Sequence, residues 1–188
     1  EWEDRLTAEA MSALRGPTQP PAVSAAADDL ASAFSACRRI TIEHSRTFFL
    51  ASALLPEPKR RAVRVLYAFC RCTDDIVDAQ RDDPVEMMRR WTAAATSPEP
   101  PADQPVLVAW AHVRAQYGIP DALAMTVIES VSRDLHQTRY GGFDDLVDYC
   151  YGVASAVGLM SMRIIGFQTD TAVPYACLFY PSDAADDP

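Results

Sequence analysis

The chain has 188 residues, 49% of them hydrophobic and 23% charged, with 17 Lys and Arg against 26 Asp and Glu and a formal net charge of −9. This composition suits one globular domain with a sizeable core and leaves no room for a second complete one. The acidic balance, and the lack of any run in which Lys and Arg alternate with aromatics, exclude a nucleic-acid groove.

Residues 1–27 are rich in Ala and Pro and are expected to form a short helix followed by a loosely held arm. From Asp28, the residues Leu30, Ala33, Phe34, Cys37 and Ile40 recur at helical spacing behind an Asp cap, which predicts a helix running towards Ser45. Pro56 and Pro58 end that region and start a helix from Lys59 to about Ala79. A break at Asp82 to Pro84 precedes a helix over about Val85 to Ala95, and the prolines of TSPEPPADQP then forbid regular structure. Further helices are predicted over Val106 to Tyr117 and Pro120 to about Thr138. Gly141 and Gly142 come before a last long helix, Phe143 to about Gly166. No alternating strand pattern bounded by turn residues occurs, so the class is all-α.

The longest nearly uncharged stretch, Tyr149 to Met162, is closed by Arg163 and falls short of the roughly 18 residues that a membrane span needs. No basic segment followed by an apolar run opens the chain at Glu1, so no signal peptide is expected. The five cysteines, Cys37, Cys70, Cys72, Cys150 and Cys177, are odd in number and sit among apolar neighbours, as free thiols do in a reducing compartment. Cys70 and Cys72, two apart on a helix, point to nearly opposite sides and cannot share a metal.

The most informative stretch is residues 59–80, KRRAVRVLYAFCRCTDDIVDAQ. At about 100° per residue, Arg60, Arg64, Tyr67, Arg71, Asp74 and Asp78 fall in one narrow arc, while the rest of the circumference is mostly apolar. Such a helix is buried on most sides, and its polar stripe must face something polar. Asp74 and Asp78 are one turn apart with Asp75 alongside. Two or three carboxylates would then converge and repel one another unless they share a cation, for which Mg²⁺ is the best fit. A solvated face with an internal Arg71 and Asp74 ion pair is the competing reading.

The block Asp74-Asp75-Ile76-Val77-Asp78, in its context YAFCRCTDDIVD, resembles the first aspartate-rich motif of the phytoene and squalene synthases. Upstream, HSRTFFLASALLP (His44 to Pro56) is similar to that family's HSxSF segment. Downstream, Asp134 to Gly166 is similar to its central substrate helix. The resemblance implies a single-domain isoprenoid-synthase helical bundle around a deep cavity. It implies Mg²⁺, with Mn²⁺ as a substitute, bound by Asp74 and Asp78 with Asp75 beside them. Ser45, Arg46 and Thr47 would hold diphosphate oxygens, Phe48 would start the cavity wall, and Tyr67 and Arg71 would steady the departing charge. Tyr149, Val153, Val157 and Gly158 would line a channel for a prenyl chain. The small residues between them would otherwise be read as close helix packing. His44 is read as structural rather than as a base, because a diphosphate leaving group can itself accept the proton.

The implied activity is head-to-head condensation of two geranylgeranyl diphosphates to phytoene, which needs no reductant. A squalene synthase-type reaction of farnesyl diphosphate with NADPH, or a non-catalytic helical binding module, are the alternatives. The expected location is cytoplasmic or peripheral on the inner face of a membrane, in a plastid if the host is a photosynthetic eukaryote. The division expected is an arm over 1–27, the N-terminal part of the helical domain over 28–167 and a divergent tail over 168–188. No second pair of carboxylates at i, i+4 follows, since Asp183, Asp186 and Asp187 lie in a Pro- and Ala-rich stretch. The chain is therefore expected to be incomplete at its C-terminus, with its own catalytic competence in question.

Overall fold

The computed structural model describes residues 2–18, 27–78, 83–137 and 139–178. Among them no strand occurs. The elements in order are α1 (Trp2–Leu14), α2 (Ala27–His44), α3 (Arg46–Ser52), α4 (Glu57–Asp78), α5 (Pro84–Thr96), α6 (Pro105–Tyr117) and α7 (Asp121–Arg133). Then follow α8 (Phe143–Cys150), a π-turn (Tyr151–Ser155), α9 (Ala156–Ile165), a 3₁₀ turn (Asp170–Ala172) and α10 (Val173–Cys177). Ala79, Asp82, Thr138 and the three aspartates beyond residue 179 lie outside the described residues.

α4 is central because three sides of it are apolar. Ala62, Val63, Val65, Leu66, Ala68, Phe69 and Ile76 are all buried, and the helix packs against α2, α5, α6, α7 and α9. α6 is buried nearly all round, as its sequence PVLVAWAHVRAQY predicts. Pro105 starts it, and Gly118 at φ 58° ends it in the left-handed conformation that costs glycine least. Where α4 meets α6, the rings of Phe69 and Trp110 stack with centroids 4.3 Å apart. Trp91 of α5 stacks on Phe69 at 6.2 Å and donates its indole N–H to Thr73 Oγ1 at 2.9 Å. That pairing gives Trp91 both an apolar contact and a partner for its polar atom, as a buried indole requires.

The first helix does not hang free. Leu6, Ala10 and Leu14 of α1 are buried in the common core, Arg5 pairs with Asp148 of α8 at 2.7 Å, and Trp2 meets Phe143 edge-on. Part of the segment after residue 167 is also built in. Val173 and Cys177 of α10 are buried, and α10 packs against α1 and α9. The break after Phe167 in the sequence thus does not coincide with a break in packing.

Two predicted helices differ from expectation. α7 stops at Arg133 rather than near Thr138, because residues 134–136 turn to bring the chain back towards α8. The long last helix carries a π-turn at Tyr151–Ser155, where the backbone accommodates its neighbours. A Cβ on Gly152 would lie 1.7 Å from Ser130 Oγ and 2.4 Å from Ser130 Cβ. The hydroxyl could rotate aside but the Ser130 Cβ could not, so α7 and the π-turn would have to separate. Gly152→Ala is expected to destabilise the fold by roughly 1–3 kcal/mol net of the ~1 kcal/mol that Ala gains over Gly within a helix. At about 2–4 °C per kcal/mol for a chain of this size, thermal denaturation resolves the loss. Adding Ser130→Gly should restore most of it, whereas adding Ser130→Ala should not.

Candidate functional site

α4, α7 and the α8–α9 helix enclose a cavity of about 310 Å³. Asp74, Asp78, Cys70 and Val77 line it from α4, and Val127 and Val131 from α7. Asp134 follows α7, and Tyr149, Val153 and Val157 complete the wall. Asp78 and Asp134 lie close enough for their charges to act on Asp74, which makes that end acidic, and the valines make the rest aliphatic. The structure thus places Asp74 and Asp78 opposite Tyr149, Val153 and Val157, which lie more than seventy residues away in sequence.

The acidic end is poised for a cation. Burial pushes the Asp74 carboxyl above the ordinary carboxylate range; Arg71 opposes this, and the charges of Asp78, Asp75 and Asp134 add to it. Asp134 accepts a hydrogen bond from the Tyr149 hydroxyl at 2.8 Å. Burial, together with that bond, pushes the Tyr149 phenol up, so it stays a donor. Tyr140 leans on Tyr149 with ring centroids 5.2 Å apart. The connection that carries Asp134 and Tyr140 is itself fixed. Asp145 accepts from Gly141 N at 2.9 Å and Gln137 Nε2 at 2.7 Å, and pairs with Arg133.

Among the described residues no three His, Cys, Asp or Glu side chains gather closely enough to hold a metal by themselves. Two carboxylates with surplus negative charge beside them still suit Mg²⁺, which takes one or two carboxylates and fills its shell with water and phosphate oxygens. Arg71 adds an anion-seeking group, because its Nε is buried with no hydrogen-bond partner. The residues present therefore fit a divalent cation bridging to a phosphorylated ligand.

Asp75 stands apart from this group. Successive residues on a helix diverge by about 100°, and Asp75 lines a different cleft with Cys72, Ile76, Met87, Arg90, Trp91 and Gln104. It pairs with Arg71 at i, i+4, in place of the Arg71 and Asp74 pair considered from sequence. Of the two or three carboxylates expected to converge, two line this cavity from α4, with Asp134 as its third acidic group.

The polar stripe also divides. From Arg60 to Asp78 it runs about 27 Å at 1.5 Å per residue, so its two ends meet different neighbours. Arg64 is buried and donates from Nε to Ser52 Oγ at 2.9 Å and from Nη2 to the Phe49 carbonyl oxygen at 3.0 Å. Arg60 reaches the Ala53 carbonyl oxygen at 3.4 Å. Both therefore hold α3 rather than face the acidic cavity. Tyr67, midway, stacks on Phe48 with centroids 5.1 Å apart.

Ser45 is the N-cap of α3, its Oγ accepting from Phe48 N at 3.3 Å, with the Thr47 hydroxyl 3.5 Å away. Arg46 and Thr47 are exposed. The structure therefore ties this trio to Tyr67 through Phe48, on the side of α4 that α3 covers. Gly158 is placed differently from expectation. A Cβ there would lie 2.5 Å from the Ala176 carbonyl oxygen, so its lack of a side chain serves close packing against α10. Asp134 was missed at the level of sequence. Its signal is the spacing Val127, Val131, Asp134, which puts a carboxylate at the end of an apolar face of α7.

The family model for squalene/phytoene synthase matches residues 41–179. The chain is 35% identical over 164 residues to a 15-cis-phytoene synthase of Synechococcus elongatus, an alignment that covers 83% of this chain and 52% of that protein. It is 32% identical over 163 residues to a phytoene synthase of Arthrospira platensis, covering 81% and 52%. The chain thus spans about half the length of these curated relatives. Among solved structures it is similar to a squalene synthase from Alicyclobacillus acidocaldarius, with a TM-score of 0.71 at 27% identity over 80% of this chain and 58% of that one. A dehydrosqualene synthase gives a TM-score of 0.69 at 26% identity, covering 79% and 53%.

Proposed function

Because this chain belongs to the squalene/phytoene synthase family, we propose that it is a phytoene synthase-like prenyltransferase module, condensing geranylgeranyl diphosphate head-to-head. The observation that carries this reading is the two-ended cavity. Asp74 and Asp78 hold its charged end, and Val127, Val131, Val153 and Val157 line the rest. A prenyl diphosphate has the same division into a charged head and a long apolar tail.

In the proposed reaction, the first substrate loses diphosphate to leave an allylic cation, and the alkene of the second attacks it. Loss of a proton gives a cyclopropyl diphosphate, which loses its diphosphate to form a second cation that rearranges and gives up another proton to yield the linear product. Mg²⁺ held by Asp74 and Asp78 would neutralise charge on the leaving diphosphate. Arg71, on which the charges of Asp78 and Asp74 act, would offset part of that charge. The Tyr149 hydroxyl, donating to Asp134, is fixed with its ring against the substrate channel. The valines keep water from the cation, which would otherwise be quenched. Ser45, Arg46, Thr47, Phe48 and Tyr67 belong to the proposed site as its α3 side, where a second diphosphate would sit.

No helix among the described residues is long and apolar enough to cross a membrane. A product this apolar favours peripheral association with a membrane.

The deciding experiment is a radiolabelled turnover assay with geranylgeranyl diphosphate and Mg²⁺, on this chain and on a longer form bearing a second acidic motif. Phytoene from the longer form, with only trace product from this chain, is the expected result. Product from farnesyl diphosphate and NADPH alone would assign the squalene-type reaction, which the likeness to a squalene synthase fold keeps in view. Prenyl diphosphate binding without turnover by either form would make the chain a binding module.

A further inference from the structure

Towards the N-terminal end of α4, away from the acidic cavity, α2, α3 and α4 form a groove of about 500 Å³. Arg38, Arg60, Arg61 and Arg64 line it with Phe34 and Phe49, and among the described residues Glu57 is its one carboxylate. We propose that this groove is a phosphate-binding site, separate from the acidic cavity, for the phosphate group of an anionic lipid headgroup or of a soluble phosphate.

Charge is the first reason. The chain has 26 acidic residues against 17 basic ones, so its cations should find carboxylates easily. Glu57 is used by Arg61, at 3.0 Å. Among the described residues no carboxylate lies in ion-pair range of Arg38, Arg60 or Arg64. Arg64 is buried as well, and its guanidinium is destabilised by that burial and then by the charges of Arg60 and Arg38. Cations brought together in a partly desolvated groove are a net cost until an anion joins them.

Geometry is the second. Arg64 lies over the Phe49 ring with its guanidinium carbon 3.9 Å from the centroid, Arg38 approaches the same ring at 5.2 Å, and Arg61 covers Phe34 at 4.7 Å. Aromatic faces hold guanidinium groups in place and leave in-plane N–H donors for an oxyanion, the arrangement in which arginine recognises phosphate. Arg64 is further fixed by Ser52 and the Phe49 carbonyl. The site is thus partly built before any ligand arrives. Its rim carries exposed apolar residues. Leu50 is 68% exposed and Leu54 91%, each one residue beyond the groove-lining Phe49 and Ala53. A lipid surface would meet both the cations and these side chains.

The site does not depend on the prenyltransferase reading, and its test needs no turnover. In one arm, inorganic phosphate is titrated into the chain while the arginine side-chain N–H signals are followed by NMR. In the other, the chain is sedimented with phosphatidylcholine vesicles that do or do not contain a third of phosphatidylglycerol. A protein of charge −9 is repelled by an anionic surface unless a local basic patch outweighs that repulsion, so binding to the charged vesicles alone is informative. Arg38→Gln with Arg60→Gln should weaken vesicle binding by ~30-fold, from the usual contribution of each arginine near an anionic surface, and added salt should release it. Arg64 is left intact because it is buried and holds α3 through two hydrogen bonds, where Arg60 makes one long one. A response to both probes, or to either one, upholds the site, and a one-armed response identifies the source of the phosphate. The proposal is overturned if phosphate leaves the Arg38 and Arg60 signals unmoved and the chain either stays off the charged vesicles or binds them equally well in the double variant. Should that variant fail to fold, the titration of the unsubstituted chain still decides.

Discussion

Asp74→Asn is expected to remove Mg²⁺-dependent turnover of a prenyl diphosphate by at least ~10²-fold, in whichever form of the protein is active, and at the same time to stabilise the fold at neutral pH. The loss follows from the site. Asp74 and Asp78 are the α4 carboxylates that face the cavity, and an amide in place of one of them halves the charge available to a cation that the reaction needs for its leaving group. The gain follows from the direction of the pKa shift. Burial, against the opposing effect of Arg71 and with the help of Asp78, Asp75 and Asp134, raises the Asp74 pKa in the folded chain.

The folded state therefore binds this proton more tightly than the unfolded chain does. Ionised Asp74 costs no stability below the ordinary carboxylate range. The cost grows as pH rises through the raised pKa and is complete above it. Thermal denaturation should show the Asp74→Asn chain melting higher at pH 7, with the difference vanishing at pH values below the ordinary carboxylate range. Excess Mg²⁺ with a diphosphate should narrow the difference by stabilising only the unsubstituted chain. Unchanged turnover in the variant would remove Asp74 from the site. A lower melting point at pH 7 would show that its carboxylate is a structural partner rather than a strained ligand.

Asp121→Ala should be among the most destabilising single changes on the surface, costing about 3 kcal/mol and lowering the melting temperature by roughly 6–12 °C. The Arg114 side chain is 0% exposed, whereas that of Asp121, with which it pairs, is 36% exposed. Arg114 also donates to the Ser97 carbonyl oxygen at 3.0 Å and lies 5.9 Å from the Trp110 ring. It thereby joins the end of α5, the middle of the core and the start of α7. Burial lowers the Arg114 pKa, and the Asp121 charge works against that. Without the carboxylate, a guanidinium is left charged in a low-dielectric site. The cost sits at the low end for a buried pair because Asp121 itself is partly solvated. Asp121→Asn, which keeps an acceptor, should lose less. A melting temperature within a degree or two of the parent for Asp121→Ala would mean that solvent already carries the Arg114 charge.

Much of the helical fold is legible from local chemistry. The apolar circumference of α4, the prolines at residues 56, 58, 84 and 105, and Gly118 mark element type and ends through interactions within a few residues, and the helices lie where those signals put them. α3 was not separately legible, because seven residues are too few for a periodic pattern and its start depends on one Ser45 hydrogen bond. The π-turn was not legible either. It depends on how Gly152 meets Ser130 from another helix.

The same limit applies to the site. Helical spacing placed Asp74 and Asp78 on one line, and the structure puts both on one cavity. Spacing also put Arg60 and Arg64 on that line, although α3 takes them. A helical wheel carries angle but not height, and over about 27 Å of helix the neighbours change. Asp75 could have been set apart by angle alone. That Gly158 packs against α10 could not have been foreseen, since it rests on a contact with Ala176 across the fold.

By itself, the sequence determined the all-helical class, the family and the acidic pair on α4, because each is written in residues close together along the chain. Tertiary structure alone decided that Asp134 and Tyr149 complete the cavity, that Asp75 turns away, and that four arginines gather in a second groove. Those outcomes depend on which faces meet when separate helices pack, and pattern along one helix does not specify its partners.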